Sequence, residues 1–293
     1  MTLGDQILQF VISGITSGCI YTIVGMAIAV VYNVTRIFDV SQGQYVILGA
    51  MIICFFRKGG FNTFLSIILA FLIPLIIGLA VWRIIFYGPS KKYPTITLIM
   101  ITVGVAMLIE GMIFFVFGTD IRTTPYYLKV APIRIFKAVI SPQGPLIYGA
   151  ILLMVLGLSF LFGRTLLGKG LRACHEQPLA ARLMGINTQN MMYFSFILSL
   201  CIGVMGGIVM VPLTAASYSM GMDLVIKGFL AALVGGISRF QGVIIGGLSL
   251  GLLESFSAGF ISSGYASIIT LTIFVVVLLF RPTGLIGSKE IRT

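Results

Sequence analysis

Charge, histidine and paired cysteines are scarce in this chain. Of 293 residues only 9% are charged, His175 is the one histidine, and Cys19, Cys54, Cys174 and Cys201 show no C-x-x-C spacing. A lone His without a ligating neighbour builds neither a metal centre nor a proton relay. Three of the cysteines stand in apolar runs, where a thiol behaves as a small hydrophobe, so neither a disulfide nor a metal site is expected. No nucleophile stands with a base and no carboxylates are paired, which excludes catalysis. One Walker-like run, Gly163 to Gly170, ends in Gly where the magnesium-binding hydroxyl belongs and follows an apolar segment rather than a strand. No nucleotide site is read there, and no cofactor is expected.

What the chain has is apolar length. Hydrophobic residues make up 58% and mean hydropathy is +1.11. Apolar segments lie at roughly 7–34, 40–56, 61–87, 95–118, 145–163, 190–216, 225–238, 242–260 and 265–280, most near the roughly 20 residues that cross a hydrocarbon core. They do not alternate as barrel strands do. The chain reads as an all-α polytopic membrane protein with about eight transmembrane helices. The segment at 225–238 is short, and Ser238-Arg-Phe-Gln-Gly242 interrupts it from the next, so a broken or re-entrant helix is expected near 225–260. MTLGDQ has no basic start, so the first segment reads as a retained span.

The net charge of +11 comes from Lys and Arg scattered over short loops, the pattern of a membrane surface and lipid headgroups rather than of nucleic-acid binding. With the 164–189 stretch inside, twelve basic residues, Arg36, Arg83, Lys91, Lys92, Arg164, Lys169, Arg172, Arg182, Arg239, Arg281, Lys289 and Arg292, are cytoplasmic and seven are not. The N-terminus is then outside and the C-terminus cytoplasmic. The polar connections at 119–144 and 164–189 hold about 25 residues each, below the roughly 40 an unassisted core needs. Residues 1–293 therefore form a single transmembrane domain.

Four pairs of glycines, Gly14/Gly18, Gly203/Gly207, Gly242/Gly246 and Gly247/Gly251, stand four apart, a spacing that lets helices pack closely in lipid. Glu110 and Glu254 fall within apolar runs, where a charge faces a pathway or finds a partner. For Glu110 both readings stand; Glu254, beside Ser255 and Ser257, reads as structural. Asp223 and Lys227 are spaced to pair on one helix face. The stretch Phe38-Asp39-Val40-Ser41-Gln42-Gly43-Gln44-Tyr45 opens an apolar segment with polar groups, which must meet water, substrate or another polar element. As a counterpart of the break after Gly235-Gly236-Ile237, it points to two interrupted helices facing a central pathway.

One island stands apart. Gly168 to Asn187 concentrates Lys169, Arg172, His175, Glu176 and Arg182. Leu179, Ala180, Leu183 and Met184 form an apolar stripe at helical spacing, with Pro178 at the start and Gly185 at the end. So short a helix makes sense as a cytoplasmic helix near 175–187 docked in a groove of another protein.

Ala180-Ala181-Arg182-Leu183-Met184-Gly185-Ile186-Asn187 resembles the Ala-x3-Gly coupling motif of ABC importer permeases, most of all the LivH-type branched-chain amino acid permeases. Tyr32-Asn-Val-Thr-Arg36, Gly43 to Ala50, Gly235 to Gly242 and Arg281-Pro-Thr-Gly-Leu-Ile-Gly287 carry the likeness over nearly the whole chain. Two positions depart from it. Leu179 stands where the general motif has Glu, and Gln42 and Gln44 stand where the family commonly has His and Glu, which alters the charge of that segment.

The resemblance implies a permease subunit forming half of the pathway of an importer in a bacterial-type inner membrane. Its partners would be a second homologous permease, two cytoplasmic ATPase subunits that bind the ATP, and an extracytoplasmic solute-binding protein. Glu176, Leu179, Ala180, Ala181, Arg182, Leu183, Met184, Gly185 and Asn187 would couple to the ATPase. Phe38, Asp39, Ser41, Gln42, Gln44, Tyr45 and Glu110 would line the pathway. A branched-chain or other apolar amino acid is the expected cargo, ahead of an amide or urea-like solute. The alternative is an ion-coupled secondary transporter using Glu110, in which the island is an ordinary loop.

Overall fold

A computed structural model describes residues 3–85, 94–127, 131–135, 138–281 and 284. α1 (Leu3–Thr35) is its spine, 33 residues long and therefore about 50 Å. α10 (Phe240–Phe260) packs antiparallel along it. Gly14 faces Leu252, Gly18 faces Gly247 and Leu248, and Gly25 faces Val243. A Cβ on Gly251 would fall on the backbone of Gly18. The glycine spacing thus does what small residues do in lipid, where packing rather than water exclusion holds helices together.

The same device recurs on either side. α9 (Met220–Gly235) meets α10 through Gly235 against Gly242 and Ala231 against Gly246. α2 (Gln42–Lys58) meets α8 (Thr188–Thr214) through Gly207 against Val46 and Gly49 against Val204. α3 (Thr63–Ile85), α4 (Thr95–Phe117) and α5 (Gly144–Arg164) flank this centre, and α11 (Ala266–Phe280) covers α9 and α10. Six of these helices, α1, α3, α4, α5, α8 and α10, are long and apolar enough to cross a membrane, and α11 is a shorter apolar helix. With α9 and with α2, which starts inside the bundle, they agree with the expected eight or so.

α6 (Leu166–Glu176) and α7 (Pro178–Leu183) lie at one end of the bundle. The opposite end carries a two-stranded antiparallel ribbon, β1 (Ile133–Ile135) and β2 (Ala138–Ile140), with Arg134 paired to Val139. The ribbon is tied to α1 where the Gln9 amide exchanges hydrogen bonds with the backbone of Val139. It adds a small strand element within what the sequence reads as a polar loop.

Of the positive-φ positions among the described residues, which include Ala215 at the end of α8, two bear on the island and on the start of α2. Arg36 ends α1 at φ 57 and Gly185 ends α7 at φ 83, so each turns the chain sharply; glycine takes that conformation freely and arginine at a cost. The turn at Arg36 sends residues 36–41 back into the bundle. α2 therefore begins at mid-depth, where the Val40 amide lies 3.3 Å from Thr102 Oγ1 of α4.

The second expected break differs. The helix pair is α9 and α10, and the interruption covers residues 236–239, with Phe240 to Gly242 already inside α10. Asn33 Nδ2 donates to the Ile237 carbonyl at 3.1 Å, which places this turn near the end of α1. It closes a helix hairpin at the island end and is not a mid-depth counterpart of the α2 start. Only the first interruption lies where helices surround it on all sides.

Candidate functional site

The island is docked, not loose. α6 follows α5 through Thr165, whose side chain caps the Gly168 amide at 3.0 Å. Gly168 sits so close to the backbone of Leu161 and Phe162 that a side chain there would clash. Leu171, Cys174 and Ala181 are buried together against Val34 in the last turn of α1. Burial in this cluster pushes the Cys174 thiol above its ordinary range, against the pull of Arg182.

The island's outer face is the reverse. Leu179, Leu183 and Met184 are 72%, 82% and 83% exposed; Ala180 and Arg182 are exposed beside them, while Ala181 faces inward. Pro178 opens α7 and Gly185 closes it, where the sequence expects them. The island is two helices with a break at Gln177, so Glu176 belongs to the end of α6. Asn187 begins α8, its side chain capping the amides of Gln189 and Asn190 at 3.1 and 3.2 Å. Arg182 Nε donates to Thr188 Oγ1 at 2.7 Å, joining the island to α8.

A second pair of contacts joins it to α1. His175 Nδ1 lies 2.6 Å from the Asn33 carbonyl; a carbonyl only accepts, so Nδ1 carries the proton. Arg36 Nη2 donates to the His175 carbonyl at 3.1 Å. Neither contact is visible in the sequence, although Tyr32 to Arg36 stands out there as a motif.

The polar stretch opening α2 is buried within the chain. Asp39, Ser41, Gln42, Gln44 and Tyr45 are each at most 2% exposed. Asp39 accepts from the Ser41 amide at 3.0 Å, from Ser41 Oγ at 2.6 Å and from Gln42 Nε2 at 2.8 Å. A helix start buried in apolar surroundings has a positive dipole end, and this carboxylate stands just ahead of it. Gln44 Nε2 donates to Glu110 Oε2 at 3.2 Å, so Glu110 finds a polar partner across α2 and α4. Among the described residues, the side-chain Oε1 atoms of Gln42 and Gln44 have no hydrogen-bond partner. Phe38 is half-buried, its ring 4.1 Å from that of Phe229 on α9.

A charge cluster built on the buried Lys227 joins α1, α9, α10 and α11. Lys227 Nζ contacts Glu254 Oε1 at 2.7 Å and Asp223 Oδ2 at 3.1 Å. Tyr21 and Ser267 also donate to Glu254, at 2.6 and 2.9 Å. The spacing-based Asp223–Lys227 pair is present, whereas Glu254 takes partners from α1, α9 and α11 in place of its neighbouring serines.

Charge is divided between the two ends. Arg36, Arg83, Arg164, Lys169, Arg172, Arg182, Arg239 and Arg281 lie at the island end, and Arg57, Lys58 and Arg122 at the ribbon end. Lys91, Lys92, Lys289 and Arg292 fall outside the described residues. Among the described residues no group of three or more His, Cys, Asp or Glu is placed to hold a metal ion.

The family model described as "Branched-chain amino acid transport system / permease component" matches residues 10–278. The high-affinity branched-chain amino acid permease proteins LivH of Salmonella typhimurium and BraD of Pseudomonas aeruginosa are each 25% identical, covering 97% of this chain and 96% and 97% of their own lengths. The fold is similar to that of a chain in the solved structure of PsaBC from Streptococcus pneumoniae in complex with Fab, with a TM-score of 0.52, 14% identity and coverage of 94% and 92%. A polytopic helical bundle with this likeness along nearly its whole length belongs to the family of permease components of branched-chain amino acid transport systems.

Proposed function

We propose that this chain is half of the membrane pathway of an ATP-driven importer, with α7 as the surface on which an ATPase subunit docks. The observation that carries this reading is the exposed stripe of Leu179, Leu183 and Met184 on a base pinned by Leu171, Cys174 and Ala181. An apolar stripe in water costs free energy unless a partner covers it, and a pinned base lets that partner push on the bundle. An ordinary loop of an ion-coupled carrier has no need of either feature, which favours the importer over the carrier.

In this reading ATP is bound and hydrolysed by two partner subunits at the island end, which is cytoplasmic in a bacterial-type inner membrane. A second permease completes the pathway, and a solute-binding protein delivers cargo at the ribbon end. Phe38, Asp39, Ser41, Gln42, Gln44, Tyr45 and Glu110 border the pathway, and a rearrangement of α2 against α4 and α9 brings them to it. The cargo is a branched-chain or other apolar amino acid, in keeping with the names of the LivH and BraD relatives.

The test is co-purification of the chain with candidate ATPase subunits. Leu183→Asp is expected to abolish capture while leaving the thermal midpoint within about 2 °C, since the side chain touches solvent and not the core. Capture undiminished by Leu183→Asp refutes the docking surface. A native chain that captures no ATPase and transports unaided in vesicles refutes the importer.

A further inference from the structure

Six residues run from the end of α1, beside the island, to the polar start of α2. Residues 36–41 form a strap held at each end and along its length. At the island end, Arg36 Nη2 donates to the His175 carbonyl at 3.1 Å and His175 Nδ1 donates to the Asn33 carbonyl at 2.6 Å. The latter satisfies one of the carbonyls that the last turn of α1 leaves without a helical partner. Along the strap, the Phe38 ring lies against Phe229 of α9, and Thr102 of α4 contacts both the Phe38 carbonyl at 3.4 Å and the Val40 amide at 3.3 Å. At the far end, Asp39 holds the Ser41 amide and the Gln42 side chain where α2 begins, and Gln44 of α2 holds Glu110.

A chain of six residues so pinned has little slack. The exposed stripe of α7 begins at Leu179, with Glu176, Gln177 and Pro178 between it and His175 of the clasp, and Gln177 alone separates α6 from α7. A groove of about 500 Å³ lined by Arg36, His175, Glu176, Ala180 and Met184 lies between them. A push on α7 therefore reaches Arg36 and His175 through one short turn, alongside its direct contacts with Thr188 of α8 and, through Ala181, with the Leu171 cluster.

We infer that Arg36 and His175 are positioning residues that transmit displacement of α7 through the 36–41 strap to α2, α4 and α9. This rests on the docking role proposed for α7. Neither residue meets the ATPase or the cargo; each acts by keeping the strap taut. The Arg36 backbone has the reason its φ of 57 requires, because this turn is what points the strap inward.

The test uses the assembled transporter in vesicles, with ATPase capture, ATP turnover, solute transported per ATP and the KM for solute all measured. His175→Phe keeps an aromatic ring and removes the donor; His175→Asn restores a donor where Nδ1 stands. His175→Phe is expected to retain captured ATPase and ATP turnover while moving about tenfold less solute per ATP at unchanged KM, with His175→Asn recovering to within about threefold of native. Should His175→Phe not accumulate, Arg36→Ala against Arg36→Lys makes the same comparison, since a Lys ammonium also donates to the carbonyl. Native coupling in His175→Phe, or equal loss in both His175 variants, overturns the inference. Loss of ATPase capture in His175→Phe also overturns it, because the clasp would then only shape the docking face. A native chain that captures no ATPase sinks the docking role instead.

Discussion

Lys227 on α9 and Glu254 on α10 form an ion pair with Nζ 2.7 Å from Oε1, at 8% and 16% side-chain exposure. The pair sits between helices whose other contacts are glycine and aliphatic, so its charges have few substitutes for one another. Tyr21 and Ser267 complete the carboxylate's hydrogen bonds, and Asp223 gives the ammonium a second partner. Four helices, α1, α9, α10 and α11, meet at these groups.

Removing either charge is expected to cost stability unequally. Glu254→Gln leaves Lys227 with Asp223, whereas Lys227→Met leaves Glu254 with hydroxyl partners alone. Lys227→Met should therefore be the more damaging, by up to about 3–5 kcal/mol, and the double replacement Lys227→Met with Glu254→Gln should recover part of that loss. Thermal unfolding of the purified chain in detergent checks the order. Equal midpoints for the two single variants would contradict it.

The glycine seam makes a sharper distinction. A Cβ at Gly251 would overlap the backbone of Gly18 and the Gly14 carbonyl, while one at Gly104 meets nothing within 4 Å. Gly251→Val should force α1 from α10 and cost roughly 2–3 kcal/mol or more. Gly104→Val, on an open face of α4, should leave stability within about 0.5 kcal/mol. Membrane abundance and resistance to limited proteolysis report the difference.

Asp39 tests the buried start of α2. Asp39→Ala orphans the Ser41 amide, Ser41 Oγ and Gln42 Nε2, and should cost on the order of 2–4 kcal/mol. Asp39→Asn should be nearly neutral. The new amide keeps one acceptor toward Ser41, and Gln42 can rotate its unpartnered carbonyl oxygen to receive the new donor. Similar losses for both variants would show that the charge, not the hydrogen bonding, holds the helix start.

Much of the architecture is legible in the sequence because lipid allows few choices. Apolar runs of spanning length must be helices, since each backbone amide has to be satisfied within its own segment. The Gly14/Gly18 and Gly247/Gly251 spacing names the faces that meet, and Pro178 and Gly185 mark the ends of α7. The stripe of Leu179, Leu183 and Met184 is visible because its period is helical and its surroundings are polar.

The rest depended on contacts between residues far apart in the chain. The Glu254 sequence neighbourhood offers serines, but its partners come from Tyr21, Lys227 and Ser267, on other helices. Gly235 to Gly242 and Phe38 to Tyr45 both read as interruptions; only packing places the first at the end of the bundle and the second at its middle. The strap exists because Arg36 turns inward and His175 reaches Asn33, 142 residues earlier. Local composition determines which segments enter lipid and which faces are small or polar. The tertiary structure decides which of those faces meet, because ion pairs, carbonyl partners and helix depth follow from the summed packing of all the helices and are encoded in no single segment.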